Sequence, residues 1–186
     1  MGREPHSARR GRPGAALPRG ALPRQPAGGQ AVSAVPVHAC CVVVGDAGVL
    51  IRGPSGSGKS TLARRLLDEA ARRGLFGRLV SDDNVLVEAR GGRALGRVRP
   101  AIAGAIEIRG RGILHGEHEP SAVLRLVVDC GVNALDRMPE AGDLATVVEG
   151  VTLPRIVAGP DEADRVLLAL GRGLFAPRNP ERDTAL

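Results

Sequence analysis

The run Gly53-Pro54-Ser55-Gly56-Ser57-Gly58-Lys59-Ser60 constrains this chain more than any other feature. It matches G-x-x-x-x-G-K-[ST] at every position, a pattern that carries chemistry when a strand enters it and a helix leaves it. Both flanks comply. Val49 to Arg52 reads as a short apolar strand. Lys59 to Arg73 reads as a helix, with Leu62, Ala63, Leu66, Leu67 and Ala70 recurring on one face and Gly74 as its stop. Small residues let backbone N–H groups curl around phosphate oxygens. The helix N-terminus adds partial positive charge. Gly53, Pro54, Ser55, Gly56, Ser57, Gly58, Lys59, Ser60 and Thr61 are therefore the candidate nucleotide-binding residues. Lys59 has the reach for β- and γ-phosphates, and the Ser60 hydroxyl suits Mg²⁺. Of the 26 Lys and Arg side chains, Lys59 is the only lysine. A compact ammonium is needed at that position, and Arg's planar fork does not replace it.

Composition narrows the setting. A length of 186 residues allows one full domain and a tail, with a real core. No apolar run approaches the roughly 20 residues of a membrane span. Aromatic residues make up 1% of the chain, so a base-stacking platform for nucleic acid is excluded. Cys40, Cys41 and Cys130 are an odd set without ligand-type spacing, which points to a reducing cytoplasm rather than a disulfide scaffold or zinc site. The net charge of +6 is misleading as a nucleic-acid signal. Nearly all of it sits in residues 1–37, where Arg3, Arg9, Arg10, Arg12, Arg19 and Arg24 face only Glu4.

Residues 1–35 read as a disordered basic tail rich in Pro, Gly and Arg, because they hold too few large apolar side chains to offset their ordering entropy. No continuous apolar stretch follows the basic start, so the tail is not read as a secretory signal, and it is expected to be dispensable for chemistry. Residues 36–186 read as the catalytic domain, with folded sequence beginning near Val35. Strands are expected at His38–Val44, Val49–Arg52, Arg78–Ser81, Val85–Glu88, Ala94–Val98, Ile106–Ile108 and Val123–Val128, and a second helix over 161–175. The turn signal Gly45-Asp46-Ala47-Gly48 makes the first two strands a hairpin. Antiparallel signals beside a strand–loop–helix unit predict an α/β fold with a mixed sheet around the phosphate loop.

Two further motifs carry chemistry. Asp82-Asp83 stands at a strand end, where one carboxylate can hold Mg²⁺ through water and the other can accept a proton from an attacking hydroxyl. A solvated turn would use the same residues. Glu107-Ile108-Arg109-Gly110-Arg111-Gly112 sets an acid on a short strand before a Gly-spaced segment, suited to a metal ligand beside a close-approach loop, or to an edge strand with a surface ion pair. His115 and His118 lie among Glu117 and Glu119 and read as solvated.

Taken together these residues resemble the catalytic domain of HPr kinase/phosphorylase, in its short alphaproteobacterial-type form. That family shows a His ahead of the phosphate loop, an Asp-Asp pair after the loop's helix, and a Glu-hydrophobic-Arg-Gly-x-Gly signature. The counterparts here are His38, Asp82-Asp83 and Glu107 to Gly112, in order over about residues 36–130. The resemblance implies the core shared by HPr kinase and phosphoenolpyruvate carboxykinase, and an ATP-dependent serine kinase acting on an HPr-type phosphocarrier protein. It implies ATP and Mg²⁺, with His38, Lys59 and Asp83 catalytic and Ser60 and Glu107 on the metal. Asp83 would take the proton from the target serine. Homo-oligomers are also implied, hexamers in the long forms.

The sequence departs from the family beyond the signature. No counterpart of the Arg/Pro/Gly-rich loop tied to phosphorolysis is present, and Leu153-Pro154-Arg155 is only a remnant, so a bias toward kinase action is expected. Arg137 and Arg155 are the candidates for the family's downstream catalytic Arg. An alternative reading is a general P-loop NTPase or small-molecule kinase, with Asp129 at the end of a hydrophobic strand as its Mg²⁺-supporting acid. A third is a sensor that binds ATP without turnover.

Overall fold

A computed structural model describes residues 34–133 and 138–171. The chain begins with β1 (Val35–Val37), β2 (Ala39–Val44), β3 (Ala47–Arg52), α1 (Lys59–Arg72), β4 (Gly77–Ser81), β5 (Val85–Arg90) and β6 (Arg93–Val98). It continues with β7 (Ala105–Ile108), β8 (Gly112–His115), β9 (Ser121–Asp129), β10 (Ala145–Val148), β11 (Val151–Val157) and α2 (Ala163–Ala169). The expected hairpin forms between β2 and β3, with Val44 opposite Ala47. Gly45 in its two-residue turn takes φ 62°, a left-handed backbone that glycine adopts without steric cost.

The main sheet runs β1-β5-β6-β9-β3-β2-β4, and β7 and β8 form a separate two-stranded sheet. It is mixed, as expected: β9 runs parallel to β3 and β11, while the other pairs are antiparallel. The first residues of β9 pair with β6, and Val127–Asp129 pair with both β3 and β11. Arg52, Asp129 and Val157 therefore stand abreast at the carboxyl ends of three parallel strands. Ligands of α/β sheets collect outside such ends, and the Gly53–Gly58 loop leaves from this one.

Apolar residues fill β2, β3 and the Leu126–Val128 part of β9 without alternation, because both sheet faces are covered there, whereas Ser121 to Arg125 alternate between more exposed and buried. Cys40, Val42, Val44, Val49, Ile51, Leu126 and Val128 point toward α1 and α2. Ala39, Cys41, Val43, Leu50 and Val127 point to the opposite face, where Val85, Val87, Val148 and Leu153 lie. From α1, Leu62, Ala63, Leu66 and Ala70 are buried, matching the expected face. Each fully buried leucine contributes about 2 kcal/mol over an exposed one, so this stripe fixes the helix on the sheet.

Several elements differ from expectation. The second helix is shorter, Ala163–Ala169, and residues 172–175 of its expected span lie outside the described residues. Leu153-Pro154-Arg155, read as a loop remnant, lies inside strand β11. Strands β1, β8 and β10 carry no strong sequence signal. The expected tail lies outside the described residues up to 33, and Val35, its last residue, already belongs to β1. Among the described residues no helix is long and apolar enough to cross a membrane.

Candidate active site

Lys59 opens α1 and is 4% exposed, a buried cation at the base of the phosphate-loop motif. Its Nζ donates to the carbonyls of Gly53 and Pro54, both at 3.2 Å, and to His38 Nε2 at 3.1 Å. These three bonds match the three donors of an ammonium. Asp83 Oδ1 lies 4.0 Å from the same Nζ. Gly58 caps α1 with φ 95° and no side-chain cap, and no acid lies in the first turn. The helix N-terminus is therefore open to an external anion.

Asp82 and Asp83 follow β4 directly. Ser60 Oγ donates to Asp82 Oδ1 at 2.9 Å, Cys40 Sγ donates to the same oxygen at 2.7 Å, and Glu107 N–H donates to Oδ2 at 3.0 Å. Asp82 is buried, and three donors hold it in place. Asp83 differs from its neighbour in every respect. Its side chain is half exposed, its φ is 57°, and its carbonyl accepts from His38 Nδ1 at 3.2 Å. Asp tolerates this left-handed backbone better than most residues. The turn is closed by Asn84 N–H on the Asp82 carbonyl and Ser81 Oγ on the Asn84 carbonyl. Burial, followed by the charge of Asp82, pushes the Cys40 thiol well above its ordinary range.

The β7–β8 hairpin forms one wall of a cleft of about 290 Å³. Ser55, Gly56, Gly58, Lys59, Ser60 and Thr61 line one side, and Asp83, Glu107 and Arg109 the rest. Gly53, Pro54 and Ser57 do not line it: Gly53 and Pro54 hold Lys59, and Ser57 faces back toward Cys130 and Gly131. His38 sits beside the cleft, on Lys59 and Asp83 together.

The structure thus brings His38, Lys59, Ser60, Asp83 and Glu107 to one place. It also adds two residues that the sequence reading gave no fixed role. Asp82 is the carboxylate in contact with Ser60, and Arg109 reaches the loop, with its guanidinium 3.5 Å from where a Cβ on Gly56 would lie. The Asp82-Asp83 motif, read as one metal-holding and one proton-accepting carboxylate, and the Glu107–Gly112 signature were the sequence signals for them.

Asp129 stands apart from its expected alternative role. Both its oxygens are engaged, with Arg52 at 2.8 and 3.0 Å and Arg155 at 2.6 Å. Burial alone would raise its pKa, but the hydrogen bonds from Arg52 and Arg155 outweigh it and hold the carboxyl below its usual range. Such a carboxylate is a structural anion. Arg155 pairs with it instead of lining the cleft, and Arg137 lies outside the described residues. His115 and His118 are exposed, in line with the reading of a solvated segment.

Residues 30–118 match the family model described as HPr Serine kinase C-terminal domain. An HPr kinase/phosphorylase of Chromobacterium violaceum is 34% identical over 154 residues, which is 75% of this chain and 46% of that protein. One of Limosilactobacillus reuteri is 36% identical over 132 residues, 64% of this chain and 39% of that protein. The chain therefore spans less than half the length of these relatives. Among solved structures, the HPr(Ser) kinase/phosphatase from Coxiella burnetii superposes with a TM-score of 0.56 at 24% identity, covering 72% of this chain and 91% of that one, a likeness of fold.

Proposed function

We propose, from the match of residues 30–118 to the family model of the HPr kinase C-terminal domain, that the chain is an ATP-dependent serine kinase whose acceptor is an HPr-type phosphocarrier protein. One observation carries the reading: a single cleft joins an uncapped helix N-terminus and a buried lysine to an exposed carboxylate at its mouth. The first two bind phosphates, and the third is placed to meet a protein hydroxyl that cannot enter deeply.

Lys59, exchanging at least one of its three acceptors for a phosphate oxygen, and the loop N–H groups hold the β- and γ-phosphates of ATP. Asp83 accepts the proton as the serine oxygen bonds to the γ-phosphorus and the bond to ADP breaks. His38 holds the Asp83 carbonyl with Nδ1 and accepts from Lys59 with Nε2, so it fixes the base relative to the cation. The oxygens of Ser60 and Asp82, 2.9 Å apart, are hard ligands of the kind Mg²⁺ takes, and Glu107 lines the same cleft. Mg²⁺ bound there supplies charge neutralisation for the phosphates. Arg109 adds a cation at the loop tip.

Kinase action is favoured over attack of inorganic phosphate on phosphoserine. In this reading the reverse reaction needs a second anion site, and Arg155, the cation of the loop remnant, is held on Asp129. Three free, buried cysteines fit a reducing cytoplasm. The family likeness supports homo-oligomers.

The test is transfer of labelled phosphate from ATP to purified HPr-type protein. Phosphoserine on that protein is expected. ATP turnover with another acceptor only, or binding without turnover, would overturn the assignment.

A further inference from the structure

The phosphate loop rests on the end of β9. Cys130 N–H donates to the Arg52 carbonyl at 2.7 Å, immediately before the loop begins. Cys130 Sγ donates to the Ser57 carbonyl at 3.1 Å, in the middle of the loop. The two segments meet without room for a methyl group. A Cβ on Gly53 would lie 2.1 Å from the Cys130 carbonyl oxygen, and one on Gly131 would lie 2.4 Å from Ser57 Cβ. Cys130 is wholly buried and backs the loop rather than lining the cleft.

The direction of the Ser57 carbonyl matters for anion binding. Every described peptide bond is trans, and in a planar trans peptide the C=O and the following N–H point in opposite directions. Holding the Ser57 carbonyl on Cys130 therefore turns the Gly58 N–H away from β9. Gly58 lines the cleft. If this peptide flipped, it would present a carbonyl oxygen to an anion, and the site would repel what it must bind. The hydroxyl of Ser57 has no partner among the described residues, so it does not share the task.

We infer that Cys130 is a positioning residue of the loop: its thiol, bonded to the Ser57 carbonyl, presets the Ser57–Gly58 peptide so that the Gly58 N–H is offered to nucleotide phosphate. The inference rests on the reading that this cleft takes MgATP.

Three variants of the full chain test it. Cys130→Ala removes the donor, and the dissociation constant for MgATP is expected to rise about three- to tenfold, the range for one lost hydrogen bond. Cys130→Ser restores a donor and is expected to stay within about twofold of the unaltered chain. Cys41→Ala makes the same truncation in the core on the opposite sheet face; it is expected to lower Tm and leave MgATP affinity unchanged. A second readout needs no nucleotide. Amide hydrogen exchange across residues 53–60 is expected to be faster in Cys130→Ala than in the unaltered chain or Cys130→Ser. An Ala variant that binds MgATP normally, or a Ser variant as weak as Ala, overturns the inference. So does exchange that Cys130→Ala leaves unchanged. A chain that binds no MgATP yet shows the exchange effect defeats the ATP reading and leaves the positioning role standing.

Discussion

Ser60 Oγ and Asp82 Oδ1 are 2.9 Å apart, joining the first turn of α1 to the end of β4. The bond bridges the helix that follows the Gly53–Gly58 loop and the turn that carries Asp83. Asp82 meets donors from Ser60, Cys40 and the Glu107 backbone. An amide in its place must turn an NH₂ toward at least one of these donors.

Asp82→Asn is therefore expected to disturb the Ser60 oxygen and raise the Mg²⁺ concentration for half-maximal turnover about 10- to 100-fold, the range for a displaced metal-supporting group. Titrating Mg²⁺ at saturating ATP reads the effect. An unchanged Mg²⁺ requirement would take Asp82 out of the metal site and leave Glu107 there.

Local patterns made much of this legible. The strand, loop and helix around Lys59 were readable because β3 and α1 declare themselves within neighbouring residues, by apolar periodicity and a glycine-rich turn. The Asp82-Asp83 pair was visible as a motif, and the resemblance assigned the proton to Asp83, but the difference in burial between the two was not legible. Burial separates the two, and burial depends on Cys40 and Glu107, distant in sequence and near in space. The partners of Asp129 were hidden for the same reason. A hydrophobic strand ending in Asp looks like a metal-supporting acid until Arg52 and Arg155 are folded against it. β11 escaped because Pro154 interrupts an otherwise strand-like run, a position tolerated in the β10–β11 ladder.

Lys59 fills a closed setting of three acceptors at 3.1–3.2 Å. Lys59→Ala is expected to weaken MgATP binding about 10- to 100-fold, as for a lost charged hydrogen bond, and to lower Tm because the Gly53 and Pro54 carbonyls lose their donor. Lys59→Arg is expected to fare little better, because a planar guanidinium cannot present three donors from one atom. Calorimetric titration with MgATP checks both. Unaltered affinity would remove the phosphate-loop assignment.

The Asp129 anchor makes a pH-dependent prediction. Its folded-state pKa is held below the unfolded value of about 3.9. Its stabilisation is thus fully present above that value and is lost as pH falls through the folded pKa. Asp129→Asn should cost about 2–4 kcal/mol at neutral pH, by leaving two guanidiniums without their carboxylate. The gap to the unaltered chain should shrink as pH falls below the ordinary aspartate value of about 3.9 and through the lower folded-state pKa. Urea unfolding at neutral and acid pH measures it. A gap independent of pH would mean that the ion pairs contribute nothing, and a changed Mg²⁺ requirement would return Asp129 to the metal.

Cys40, Cys41 and Cys130 are each fully buried, and burial pushes the Cys41 thiol up to about 12 and the other two upward as well. The thiolate is the reactive form. At mildly alkaline pH, a thiol reagent is expected to label none of them in the folded chain and all of them in denaturant. Fast labelling of Cys130 under native conditions would show that the loop lifts from β9.

In the proposed transfer Asp83 is the proton acceptor. A serine hydroxyl is a weak nucleophile at neutral pH, and a placed carboxylate that takes its proton is worth about 10²–10⁴-fold in rate. Asp83→Asn isolates that contribution. Asn adopts the left-handed backbone as readily as Asp, and the bond from His38 goes to the Asp83 carbonyl, which the substitution keeps. The turn should survive, while the proton acceptor is lost. Turnover is expected to fall by about 10²–10⁴-fold, with MgATP affinity within a few-fold because Lys59 and Ser60 are untouched. The same enzyme preparations, given seryl-phosphorylated acceptor and inorganic phosphate, are expected to release little pyrophosphate, since Arg155 is tied to Asp129. Normal turnover in Asp83→Asn would remove this carboxylate from the mechanism. Robust pyrophosphate release from the unaltered chain would show that an anion site other than Arg155 serves the reverse reaction, and would overturn the bias toward phosphorylation.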